Sequence, residues 1–161
     1  MHFSHPFNPI FDENSSVLIL GTFPSVKSRA NAFYYGHPQN RFWKIISHIT
    51  NTNPVPKTID DKKQMLIANR IALADVLQSC SIEGSSDNDI REAVPMNLSR
   101  ILNSANLSRI CANGGKAYQL FMKYFYDKNV EQNIIKLPST SSANAKYNFE
   151  KLVLEWKKVI M

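Results

Sequence analysis

The segment Gly36-His37-Pro38-Gln39-Asn40-Arg41-Phe42-Trp43, entered through Phe33-Tyr34-Tyr35, gathers aromatic faces, a neutral amide and a cation in one short loop leading into a helix. Aromatic rings stack on flat heterocycles, and such stacking contributes about 1–3 kcal/mol per base in single-strand binders. A carboxamide offers both donor and acceptor. Together they suit a pocket that holds a nucleobase taken from a polyanion. Asn40 has two readings. One is a helix N-cap, a position where Asn is strongly favoured. The other is an amide that holds a water beside a reacting carbon. An amide is no strong base, but a water needs little activation when the electrophile is already cationic. N-glycosidic cleavage, with its oxocarbenium-like transition state, meets that condition.

Other residues divide similarly. Tyr35 is the candidate to stack on an extruded base. His37, beside Pro38, reads first as a local hydrogen-bonding residue, with a base carbonyl or a phosphate as the alternative partner. Arg41 and Lys44 either reach phosphates or form the solvated face of the following helix. Ser139-Thr140-Ser141-Ser142 offers four consecutive hydroxyls where one helix cap needs a single residue, so phosphate contacts are expected there. Asp75 is the best-placed carboxylate, as a loop anchor or a base contact. Asn113-Gly114-Gly115 lacks both the Walker and the dinucleotide patterns and reads as a plain strand-to-helix turn. His2, His5, His37 and His48 show no metal-ligand spacing, so no metal site is expected.

Four apolar runs must carry these residues as buried strands: Ser16–Leu20, Ile71–Val76, Arg109–Ala112 and Asn133–Leu137. Helical stripes separate them: Phe42, Ile45, Ile46 and Ile49; then Met65, Leu66 and Ile67 behind a Thr58-Ile59-Asp60-Asp61 capping box. Leu98, Ile101, Leu102 and Ala105 form a third stripe, and Ala117, Leu120, Phe121, Tyr124 and Phe125 a fourth. A last helix is expected from about Ala143 to Val159. The alternation predicts an α/β fold, a three-layer α/β/α sandwich around a central, mostly parallel four-stranded sheet. Ligands of such sheets sit at the carboxyl ends of the strands. That makes one mouth of three loops: Gly21 to Asn40, Gln78 to Asp89, and Pro138 to Ser142.

At 161 residues the chain reads as a single domain, 1–161, able to bury a sizeable core. Its net charge of +6 favours phosphate polymers through counterion release. Cys80 and Cys111 lack zinc or redox spacing and read as reduced thiols of a cytosolic protein. The Pro- and charge-containing start is no signal peptide, and Val17-Leu18-Ile19-Leu20 is too short to span a bilayer. A cytoplasmic protein without membrane partners is expected, nucleoid-associated if prokaryotic.

Gly21-Thr22-Phe23-Pro24-Ser25 followed by Tyr35-Gly36-His37-Pro38-Gln39-Asn40-Arg41-Phe42-Trp43 resembles the uracil-DNA glycosylase superfamily, whose mismatch-specific branch has a Gly-x-Asn-Pro-Gly loop and a His-Pro-x-Asn-Arg-Phe-Trp helix start. Leu137-Pro138-Ser139-Thr140-Ser141 is similar to its second active-site motif. Ile71 to Val76, with Ser79-Cys80 and Gly84-Ser85-Ser86-Asp87, looks closest to the hypoxanthine-DNA glycosylase branch. Three positions depart from the superfamily pattern. Phe23 stands where the mismatch branch has a water-positioning Asn, Leu137 where the uracil enzymes have His, and Ser142 where relatives have Pro. The resemblance implies monofunctional hydrolysis after base flipping, without a cofactor, with Asn40 as the catalytic residue. Tyr35, Phe23, Thr22, Asp75 and His37 would line the base, and Ser25, Arg41, Ser139, Thr140 and Ser141 would contact DNA.

The expected partner is double-stranded DNA carrying a deaminated or mismatched base, bound by a monomer. The leading reading is hypoxanthine removal from deoxyinosine, with uracil as a weaker substrate. Its rivals are a G:U/G:T mismatch-specific uracil/thymine glycosylase, which Phe23 disfavours, and a non-catalytic damaged-DNA binder with the same fold. A small-molecule nucleotide binder lacks any intact phosphate-cradling motif.

Overall fold

The computed structural model describes residues 1–31, 33–82, 90–104, 106–125 and 134–160. In chain order its strands are β1 (His2–Ser4), β2 (Val17–Gly21), β3 (Ile71–Asp75), β4 (Leu77–Ile82), β5 (Ile90–Pro95), β6 (Arg109–Asn113) and β7 (Ile134–Leu137). Its helices are α1 (Val26–Asn31), α2 (Phe42–Ile49), α3 (Ile59–Ala68), α4 (Ser99–Leu102), α5 (Gly115–Phe125) and α6 (Phe149–Ile160).

The central sheet has the order β3-β2-β6-β7, and every pairing in it is parallel. β2 and β3 are buried along their whole length, as expected of apolar runs covered on both faces. Alternate residues feed two cores. Val17, Ile19, Ile71, Leu73 and Cys111 pack with α2, α3 and Trp156 of α6 on one side. Leu18, Leu20, Ala72, Ala74 and Ile110 pack with Ile101 and Phe121 on the other. The α/β sandwich and its parallel four-stranded sheet are as the sequence predicts. The start of the expected fourth strand, Asn133, lies outside the described residues.

Three features differ from expectation. First, Gln78 to Asp89 is not a mouth loop. Its first part is β4, the middle strand of an antiparallel sheet ordered β1-β4-β5 that joins the second core through Leu77 and Cys80. Residues 83–89, including Gly84 to Asp87, are outside the described residues. Second, α4 is a single turn, and Ala105 is likewise outside the described residues.

Third, the last helix begins at Phe149, not near Ala143. The intervening carbonyls of Ser141, Asn144 and Tyr147 accept hydrogen bonds from the Arg41 guanidinium. Asn148 then caps α6, its side-chain oxygen accepting from Lys151 N–H at 2.9 Å. Thr58 caps α3 in the expected manner, accepting from Asp61 N–H.

Candidate active site

The carboxyl ends of all four central strands open onto one cleft of about 450 Å³. Gly21 and Thr22 enter it from β2, Asp75 from β3, Asn113 from β6, and Ser139 to Ala143 from the loop after β7. Tyr35, His37 and Asn40 close it from the segment before α2. β2 lies between β3 and β6, so the chain's direction of winding reverses there, and a crevice at that switch point is where open α/β sheets bind ligands. The volume is within the usual range for a small-molecule or base pocket.

Asn40 is held from two sides. Its Oδ1 accepts from Phe42 N–H at 2.9 Å and from the Thr140 hydroxyl at 2.9 Å. The backbone N–H can only donate, so the amide oxygen must face it; this fixes which end of the carboxamide points where. Both lone pairs of Oδ1 are then in use, and the Nδ2 donors are the free valence of this pocket-lining group. Asn40 therefore satisfies part of the cap reading as well, bonding an orphan N–H of α2 from just before the helix.

The Thr140 hydroxyl is fixed in turn by Asn113. Asn113 Nδ2 donates to Thr140 Oγ1 at 3.0 Å, and Thr140 N–H donates to Asn113 Oδ1 at 3.0 Å. With Asn113 filling its acceptor side, the hydroxyl proton is directed at Asn40. Thr140 is fully buried, so the expected contact of its side chain with DNA is corrected to an internal relay.

Gly114 makes the turn that places Asn113. Its φ of +94° is a left-handed conformation, and a Cβ there would lie 3.2 Å from Ser139 Cβ.

Arg41 is also redirected. Nε donates to Thr140 C=O, and the two terminal nitrogens donate to the carbonyls of Tyr147, Ser141 and Asn144. Four of the five guanidinium N–H groups are thus occupied by the second loop. The side chain is a clamp between the two motifs in place of the phosphate contact expected of it.

The remaining expected residues fall in or beside the cleft. Thr22, Phe23 and Tyr35 line it. Tyr35 has a φ of 53° and stacks on Phe42 with ring centroids 4.2 Å apart. His37 lines the cleft while its Nδ1 accepts from Gln39 N–H at 3.1 Å. Ser25 caps α1 by accepting from Ser28 N–H, and Ser28 Oγ accepts from Gly36 N–H, so the segment after β2 is tied to the one before α2. Ser139 and Ser141 each accept a backbone N–H two residues on, which shapes the rim they form.

Asp75 meets a residue from the chain start. His5 Nε2 lies 2.9 Å from Asp75 Oδ2, with side-chain exposures of 1% and 5%. Gly21 is required beside this pair: a Cβ would lie 2.4 Å from Asp75 Oδ1 and 2.8 Å from the Tyr35 hydroxyl. Burial first, and then the charge of Asp75, pushes the Tyr34 phenol upward, so Tyr34 stays neutral in this cluster.

The family signature of the uracil DNA glycosylase superfamily matches residues 9–159, nearly all of this frame. The chain belongs to that superfamily. A Methanosarcina acetivorans protein named hypoxanthine DNA glycosylase is 34% identical over 157 residues, covering 95% of each chain. A Methanosarcina barkeri protein of the same name is 33% identical over 112 residues, 69% of this chain and 71% of its own. The solution NMR structure of a Methanosarcina acetivorans protein assigned to the uracil DNA glycosylases superposes with a TM-score of 0.79 at 32% identity, covering 99% of this chain and 97% of that one.

Within this glycosylase site two residues escaped the sequence reading. Asn113 was a plain turn residue there and is instead the support of the Thr140–Asn40 contact. His5 was weighed only as a metal ligand and is instead the partner of Asp75. No local signal marks either, since their partners lie 27 and 70 residues away. Among the described residues no group of three His, Cys, Asp or Glu side chains is arranged to hold a metal.

Proposed function

We propose that the protein is a monofunctional DNA glycosylase that hydrolyses the N-glycosidic bond of deoxyinosine in double-stranded DNA, acting as a monomer and releasing hypoxanthine. The observation that carries this reading is the fixed Asn40 carboxamide lining a base-sized cleft whose first motif carries Phe23 in place of an amide. The damaged nucleotide leaves the stack, a step made easier by a weakened pair. Its base packs against Tyr35, which lines the cleft. Asn40 Nδ2 donates to one lone pair of a water, whose other lone pair bonds to the anomeric carbon as the N-glycosidic bond breaks. The pair of that bond leaves with the base as an anion, and the water's surplus proton is lost to solvent, from which the released base is reprotonated. The amide supplies aim rather than basicity, which suffices for an oxocarbenium-like centre.

Asp75 gives the site a reason to prefer deaminated bases. An ionised carboxylate can only accept hydrogen bonds. Deamination of adenine turns the N1 acceptor into an N1–H donor beside a new carbonyl, so hypoxanthine satisfies Asp75 where adenine opposes it. Uracil offers an N–H beside a carbonyl too, and it is the second substrate of this reading. Loop N–H groups at the strand ends would stabilise the departing base as negative charge develops on it.

Duplexes containing inosine, uracil or a G:T mismatch, incubated with the protein and then treated with alkali, test this. Scission at inosine, with weaker scission at uracil, is the expected pattern. Scission confined to uracil or thymine mismatches would favour the mismatch-specific reading, and binding without scission would reduce the protein to a damaged-DNA binder.

A further inference from the structure

We infer that His5 is a positioning residue that sets base specificity, by holding the Asp75 carboxylate as a one-sided acceptor turned toward the cleft. This inference rests on the proposed function and names the device that enforces its substrate class. A carboxylate with 5% side-chain exposure has little water around it and needs protein donors for its oxygens. His5 supplies one at 2.9 Å, on Oδ2. Its other ring nitrogen, Nδ1, accepts from Phe7 N–H at 3.4 Å, which assigns the proton to Nε2 and makes His5 the donor.

The ring cannot turn away. Phe7 lies 4.6 Å from it edge-on, Phe23 5.7 Å edge-on, and Tyr34 5.7 Å in a tilted contact. With Oδ2 held from behind, Oδ1 is the oxygen beside Gly21 and the Tyr35 hydroxyl, both at the cleft wall. His5 comes from the segment after β1, outside every strand-end loop that forms the rest of the pocket. That segment is anchored independently, by His5 N–H to Gln78 C=O at 2.7 Å and by paired bonds between Ile10 and Leu73. The pair is therefore built to hold the carboxylate in one orientation.

Single-turnover excision of hypoxanthine, compared with excision of unsubstituted purine from the same duplex context, tests the inference. Unsubstituted purine has an unprotonated N1, so it cannot use Asp75 as an acceptor. His5→Leu is expected to lower hypoxanthine excision about 10-fold more than purine excision, the scale on which a hydrogen bond to a charged group acts. His5→Gln, which keeps an N–H donor, should restore most of the preference. Asp75→Asn should erode the preference similarly, and His5→Leu added to it should erode it no further. Equal losses on both bases in His5→Leu, or a further loss of preference in the double variant, would overturn the inference. If His5→Leu does not fold, the Gln variant and the Asp75→Asn background still decide, because a failure of Gln to keep the preference contradicts the donor role. Wild-type protein that releases neither base would instead remove the glycosylase reading itself.

Discussion

The Thr140 hydroxyl donates to Asn40 Oδ1 at 2.9 Å, joining the loop after β7 to the loop before α2 across 100 residues of chain. The consequence is chemical as much as structural. The amide oxygen is spent on two fixed donors, so what Asn40 presents to the cleft is its N–H₂ group, aimed by Phe42 N–H, Thr140 and, behind it, Asn113. A water held that way has one lone pair bound and one free.

Thr140→Val keeps the side chain's shape and removes this donor. It also leaves Asn113 Nδ2 without its acceptor in a buried place. A stability loss of about 1–3 kcal/mol is expected from the stranded group. Beyond it, the single-turnover rate on inosine duplexes should fall about 10-fold, the equivalent of about 1.4 kcal/mol of lost aim. Urea unfolding and rapid-quench kinetics measure the two effects separately.

Arg41 separates a clamp from a DNA contact. Arg41→Lys would strip hydrogen bonds from several loop carbonyls, so unfolding free energy should drop by more than about 3 kcal/mol. In Arg41→Gln, which removes the charge as well, the salt dependence of DNA binding at a temperature where the variant is folded should keep its wild-type slope. A phosphate ligand would instead reduce the slope by about one when removed.

Gly21→Ala places a methyl group where Asp75 Oδ1 and the Tyr35 hydroxyl now sit. Overpacking of this kind costs about 1–3 kcal/mol. The larger effect should be on recognition, because the carboxylate must move. Hypoxanthine excision is expected to fall about 10-fold or more relative to unsubstituted purine, read in the same competition assay.

Alkaline stability follows from the buried acids. Burial pushes the Cys111 thiol up to about 12, with Arg109 opposing the shift only in part. The unfolded chain therefore loses this proton first, near pH 9, and folded-state stability falls as pH rises from about 9 toward 12. Tyr34, raised by burial, by Asp75 and by Tyr35, adds to the fall at higher pH. Cys111→Ala should lose about 2 kcal/mol less than wild type between about pH 8 and pH 10.5 in urea titrations.

The parallel sheet was legible because its strands are uninterrupted apolar runs buried on both faces, as in Val17-Leu18-Ile19-Leu20. The antiparallel sheet was not. Gln78, Ser79 and Ser81 give β4 a polar outline, and its partner β1 has only three residues, so the pairing of Phe3 with Cys80 leaves no local trace. The late start of α6 has the same kind of cause, since Arg41 claims carbonyls 99 to 106 residues away. In the site, Asn40 and Tyr35 could be read from their own motif. The supports behind it, Asn113 and His5, could not, because each takes its meaning from a partner on another strand end.

The most direct test of the account is the single-turnover rate of hypoxanthine release by Asn40→Ala from an inosine-containing duplex, measured with protein in excess over DNA. If Asn40 aims the water as proposed, its removal should slow release by at least about 100-fold while the variant still binds the duplex, the scale expected when a positioned reactant loses its geometry. Release at the wild-type rate by the folded variant would contradict the account.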